Sequence, residues 1–204
     1  MKKISISRIF IFFSFLTILM NCAGNFKKHE IKLIYPNKIA KIDGKYALLI
    51  SKNEFPLKKK FNSDDCESWA VDLPIDNLFR NSMTNLLKSM FSDLNIIDKD
   101  ITNDPVELNK YTSIITVEKS EAIATFFTER NTGKFNIKLN SQIIVESGNI
   151  EIKNSINSEQ SWSKNIYLGC ELSEGSKIAT ENAFQNFLDQ VHSSVYQSVY
   201  KITR

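Results

Sequence analysis

The side chains that could do chemistry in this chain are few: three cysteines, two histidines and a scatter of carboxylates. His29 and His192 lie far apart, and neither stands at ligand spacing from a cysteine, so the pattern points to no metal site. Nucleophilic catalysis needs a hydroxyl or thiol with a base held beside it. No G-x-S-x-G, H-E-x-x-H, P-loop or dinucleotide fingerprint occurs. Asp64/Asp65 or Glu118/Glu121 could supply a general acid and base, but their spacing does not set them apart from solvated charges. A catalytic role for His192 is equally unsupported. The expectation is a non-enzyme with no catalytic residue, no cofactor and no metal.

The N-terminus is more informative. Lys2, Lys3 and Arg8 form a basic region, and Ile9 to Met20 is apolar apart from Ser14 and Thr17. That length suits a signal-peptide core and falls short of the roughly 20 residues that span a bilayer. Leu19-Met20-Asn21-Cys22 follows, where a secretory cleavage site would carry small residues. The stretch resembles the lipobox of bacterial lipoproteins, with Leu three positions before Cys22 and Asn21 where Gly, Ala or Ser is usual. The resemblance implies cleavage before Cys22, a diacylglycerol on its thiol and acylation of the new amino group. Such a multiply acylated cysteine is a durable anchor, because one chain alone binds only marginally. The alternative is an uncleaved N-terminal anchor, which also leaves the remaining chain outside the cytoplasm.

With Cys22 lipidated, Cys66 and Cys170 remain. A pair of cysteines in an oxidising compartment suggests a disulfide, with two buried free thiols as the alternative.

The precursor carries a formal charge of +3, and the three cations of the signal account for all of it. The mature chain is neutral and offers no support for nucleic-acid binding. Its charge is unevenly placed, with residues 22–60 rich in Lys and residues 61–204 rich in acids. A basic segment beside a lipid anchor could lie on anionic headgroups, or it could be a solvated tether.

These residues must be held by elements that the hydrophobic pattern outlines. "KYALLIS" at 45–51 suits a strand covered on both faces. "NEFPLKKKFNSDD" suits a loop or irregular edge, and "CESWAVDL" at 66–73 a second strand. Asp76 is positioned to cap a helix running to Ser92, with Phe79, Met83, Leu86, Leu87, Met90 and Phe91 on one stripe. Strands follow at 94–98, 112–128, about 135–145 and 150–166, the last three joined by short turns as an antiparallel meander. Phe135, Ile137, Leu139, Ile143 and Val145 alternate with polar residues, so one face of that strand is wet. "GCELSEGS" suits a loop, and Ser176 is placed to cap a final helix whose stripe includes Ile178, Phe184, Phe187, Val191, Val195 and Val199.

The expected fold is α+β, an antiparallel sheet with two helices packed on one face, in the order β-β-α-β-β-β-β-α. The expected organisation is a signal at 1–21, a lipidated basic tether at 22–44 and a single domain at 45–204. Lipobox and element order together resemble small envelope lipoproteins of lipopolysaccharide assembly and of envelope lipid transport. That resemblance implies a non-enzymatic accessory or scaffold in the cell envelope, expected at the outer membrane on its periplasmic or surface face. It is held by its lipid anchor and partnered by an envelope protein or lipid. The alternative is a surface-exposed lipoprotein that binds host or environmental ligands.

Overall fold

The computed structural model describes residues 31–35, 41–51, 54–62, 73–98, 109–165 and 173–203. The elements in chain order are β1 (Ile42–Ile50), β2 (Leu57–Asn62), α1 (Ile75–Met90), β3 (Phe91–Asp98), β4 (Ser113–Glu129), β5 (Thr132–Ser147), β6 (Ile150–Asn165) and α2 (Ser173–Ile202). Class and element order agree with the pattern of the sequence.

The sheet is mixed rather than antiparallel throughout. Its order is β3-β1-β4-β5-β6, with β2 paired to β4 beyond the end of β1. β4, β5 and β6 form the expected antiparallel meander. β1 pairs in parallel with both β3 and β4, and β2 pairs in parallel with β4. Parallel neighbours need a long return connection, and α1 lies in the one between β1 and β3. Hydrophobic period reports which face of a strand is buried and is silent on the direction of its neighbour.

β1 is buried from Tyr46 through Ile50, as a strand with neighbours on both sides and cover on both faces should be. β2 occupies the stretch expected as loop or irregular edge. Lys58, Lys59 and Lys60 are exposed and hide its alternation. The expected strand at 66–73 lies outside the described residues except Leu73, which is buried.

α1 starts at Ile75 after Pro74, and no side chain caps it. Asp76 instead sits in the first turn, where its Oδ1 accepts the Phe55 backbone N–H at 3.1 Å. The apolar stripe of α1 is buried as expected, and Arg80 donates to the Ile50 and Ser51 carbonyls. The helix ends directly in β3.

α2 begins a turn earlier than expected, so Ser176 is not its cap but a buried residue of its first turns, whose carbonyl accepts the Thr180 hydroxyl. Its 30 residues extend about 45 Å. Ile178 is 41% exposed, outside the stripe that Phe184, Phe187, Val191, Val195 and Val199 bury. Both helices and one sheet face share a continuous core. Phe55, Phe79 and Phe187 join them, with Phe55 stacked on Phe79 at 4.1 Å and Phe187 edge-on to both.

Candidate functional site

The sheet has a face toward the helices and a face away from them. On β5 the inward residues are Phe135, Ile137, Leu139, Ser141, Ile143 and Val145. On β4 the inward set is Ser113, Ile115 and Val117, then Ser120, Ala122, Ala124 and Phe126. The change of phase falls at a bulge between Glu118 and Glu121, with Lys119 at φ 51°. Inside it, the Ser120 and Ser141 hydroxyls lie 2.8 Å apart and Glu54 accepts from Ser120 at 3.3 Å. This polar cluster satisfies the groups that the bulge turns inward.

The outward face is a set of cross-strand rows. Lys58, Ile123, Lys138 and Glu159 form one row, and Lys60, Thr125, Asn136 and Ser161 the next. Phe127, Lys134 and Ser163 follow at the hairpin end. Lys58 pairs with Glu121, and Lys134 with Glu129. The hydrogen bond from Lys58, with the charges of Lys58, Lys60 and Lys138, holds the Glu121 carboxyl below its usual range. The Lys134 ammonium also lies 5.4 Å from the centroid of the Phe127 ring. Asn136 Nδ2 donates to Glu159 Oε1 and Ser161 Oγ, each at 2.9 Å. Around these residues lies a groove of about 330 Å³, lined by Phe127, Lys134, Asn136, Ser161, Trp162 and Ser163 among others.

The opposite end of this face is acidic. Glu146 stands across from Glu151, with Lys153 two residues further along β6. Burial, then a shared hydrogen bond with Glu151 and repulsion from Glu151 and Glu118, push the Glu146 carboxyl above its usual range. Glu151 is held below its usual range, first by its hydrogen bond from Lys153. A second concavity of about 360 Å³ lies beside Phe55, Leu57 and the start of α1. It is largely apolar, and the Asp76 carboxylate at its edge is already committed to the Phe55 N–H.

Of the residues singled out by sequence, Cys22, Cys66, Cys170, His29, Asp64 and Asp65 lie outside the described residues. Glu118 and Glu121 both face outward, on either side of the bulge, Glu121 toward Lys58 and Glu118 toward Glu146. His192 is partly buried on α2, its ring 6.4 Å from Tyr196, with no hydrogen-bond partner for Nε2. Among the described residues, no cluster of three or more His, Cys, Asp or Glu is arranged to hold a metal ion. No helix there is long and apolar enough to cross a membrane. The groove was not visible in the sequence, because its residues come from two separate hairpin positions and a third strand. The pairing of Phe127 with Lys134 across the β4–β5 turn was the one local signal.

No family model and no curated protein matches the chain. Among solved structures, it is similar to the hypothetical protein CT253 from Chlamydia trachomatis, at 9% identity and a TM-score of 0.42, over 78% of this chain and 98% of that one. It is also similar to a neuraminyllactose-binding hemagglutinin homolog from Helicobacter pylori, at 7% identity and a TM-score of 0.46, over 86% of this chain and 98% of that one. At this level of likeness no residue and no activity carries over.

Proposed function

We propose that this chain is a lipid-anchored protein of the cell envelope whose α+β domain acts as a non-enzymatic accessory or scaffold in envelope assembly or transport. The observation that supports it best is the division of labour within the sheet. One face is used up by the helices, while the outward face of β4–β6 presents Lys, Glu, Asn and Ser side chains in ordered rows. Such a face offers a broad polar surface to another macromolecule. The lipobox at Leu19–Cys22 supports the anchor.

Two measurements test the proposal. Cys22→Ala should move the protein from the detergent phase to the aqueous phase in phase separation, and an unchanged membrane fraction would refute lipidation. A photo-crosslinking residue at Ser155 or Asn157, on the outward side of β6, should give adducts with another envelope component in intact cells. Adducts absent at both positions, with normal levels of anchored protein, would refute the scaffold role.

A further inference from the structure

Residues 31–35 give the direction in which the chain enters the domain. The Lys32 N–H donates to Glu181 Oε1 and the Ile34 N–H to Gln185 Oε1, both at 3.0 Å, so the segment runs in the same direction as α2. α2 is antiparallel to β6, because Gly175 meets Trp162, Ala183 accepts from Ser158, and Ser198 accepts from Asn154. Ile31 therefore lies toward the Trp162 end of β6. The β4–β5 turn and the outward groove are at that same end. Residues 22–30 can extend about 30 Å at most.

The charge follows the same axis. The groove end carries Lys58, Lys60, Lys134, Lys138, Arg130 and Lys164 against Glu121, Glu129 and Glu159, six cations to three acids. The far end of the outward face carries Glu118, Glu146 and Glu151 around Lys153, which pairs with Glu151. Attraction between exposed charges extends only about 8 Å at physiological salt, so the cationic end acts only where it lies against the membrane surface.

We infer that the groove end of the outward sheet face rests on the membrane to which Cys22 is attached and binds the anionic phosphate headgroups of its lipids. The inference depends on the lipid anchor proposed above. Phe127 with the Lys134 ammonium beside its ring combines an apolar body with a charged tip, the arrangement that suits a headgroup boundary. The Thr125, Ser161 and Ser163 hydroxyls line the same groove and can donate to phosphate oxygens. The acidic end is then directed away from the membrane, where like-charge repulsion keeps it.

The test uses the lipidated protein reconstituted into vesicles of phosphatidylcholine, with or without an equal amount of phosphatidylglycerol. Lysines are labelled with an amine-reactive reagent and the sites read by mass spectrometry. With phosphatidylglycerol present, Lys60, Lys138 and Lys164 should be labelled at least about threefold more slowly, while Lys201 at the far end of α2 is unchanged. The protection should vanish near 1 M salt, where the screening length is about 3 Å. The triple variant Lys60→Glu, Lys138→Glu, Lys164→Glu should float with the vesicles, and Lys134 should lose its own protection.

Equal labelling in both vesicle types, or slowing at Lys201 instead, would overturn the inference while leaving the anchor intact. Protein that fails to float with vesicles would overturn the anchor and the inference together. Slowing produced in detergent by inorganic phosphate alone would mark a free-anion site and would also overturn it.

Discussion

Gly175 lies against the indole of Trp162 so closely that a Cβ on Gly175 would stand 2.0 Å from Trp162 Cδ2. The contact joins the first turn of α2 to the end of β6 on the helix side of the sheet. Helix propensity alone would favour Ala over Gly by about 1 kcal/mol. Here the crowding should reverse the sign, because forcing a methyl group into a packed contact costs about 1–3 kcal/mol.

Gly175→Ala should therefore lower the thermal midpoint, and Trp162→Leu in the same background should recover part of the loss. A higher midpoint for Gly175→Ala alone would show that the indole is free to move aside.

How far the sequence reveals this fold depends on what each strand must bury. β5 alternates cleanly because one face meets the core and the other meets water, so its inward residues are legible from Phe135 to Val145. β4 defeats a strict alternation, since the bulge at Lys119 shifts its inward set by one residue. β2 is disguised by three consecutive lysines whose neighbours on β4 supply the pairing. Asp76 has the chemistry of a helix cap, yet a tertiary partner, the Phe55 N–H, claims its carboxylate. The groove depends on register across three strands, which local patterns do not contain. The stretch Leu19–Cys22 that resembles a lipobox, by contrast, is contiguous and is read without any fold.

Glu146 gives a pH dependence with a definite sign. Its carboxyl is raised in the fold by burial and by Glu151 and Glu118, so the folded state binds its proton more tightly than the unfolded chain. Its contribution to stability is complete below the unfolded value of about 4.3 and is lost as pH rises through the raised folded value. Glu146→Gln keeps the size of the side chain and can donate to Glu151. It should raise the midpoint at neutral pH and leave it nearly unchanged at about pH 4. Thermal melts of the two proteins across the acid range measure the difference, and a variant that loses stability most at neutral pH would contradict the assignment.

Cys66 and Cys170 are proposed as a disulfide on the ground of compartment and number, and both lie outside the described residues. Closing a loop of about 100 residues should stabilise the fold by about 4–5 kcal/mol in the chain-entropy model. Mass spectrometry of the protein digested without reductant should find the two cysteine peptides joined, and Cys66→Ser should lower the midpoint by as much as reduction does. Recovery of both thiols in alkylated form before any reduction would rule the bond out.

Gln185 acts on residue 34 as a neighbouring strand would. Its Oε1 accepts the Ile34 N–H at 3.0 Å while its Nε2 donates to the Ile34 carbonyl at 3.1 Å, and Asp189 also accepts from Nε2 at 3.2 Å. Leu33 and Tyr35 on either side pack against the core. Removing the amide leaves backbone groups that water can reach, so each lost bond should cost only about 0.5–1.5 kcal/mol. Gln185→Ala should therefore speed hydrogen exchange in residues 31–35 severalfold, with little change in β4–β6. Glu181→Ala should do the same at Lys32, since Glu181 accepts that N–H. If exchange in 31–35 is unaltered by both substitutions together, the packing of Leu33 and Tyr35 alone holds the segment. If exchange instead rises throughout the sheet, the two side chains support the whole fold rather than the segment that leads toward Cys22.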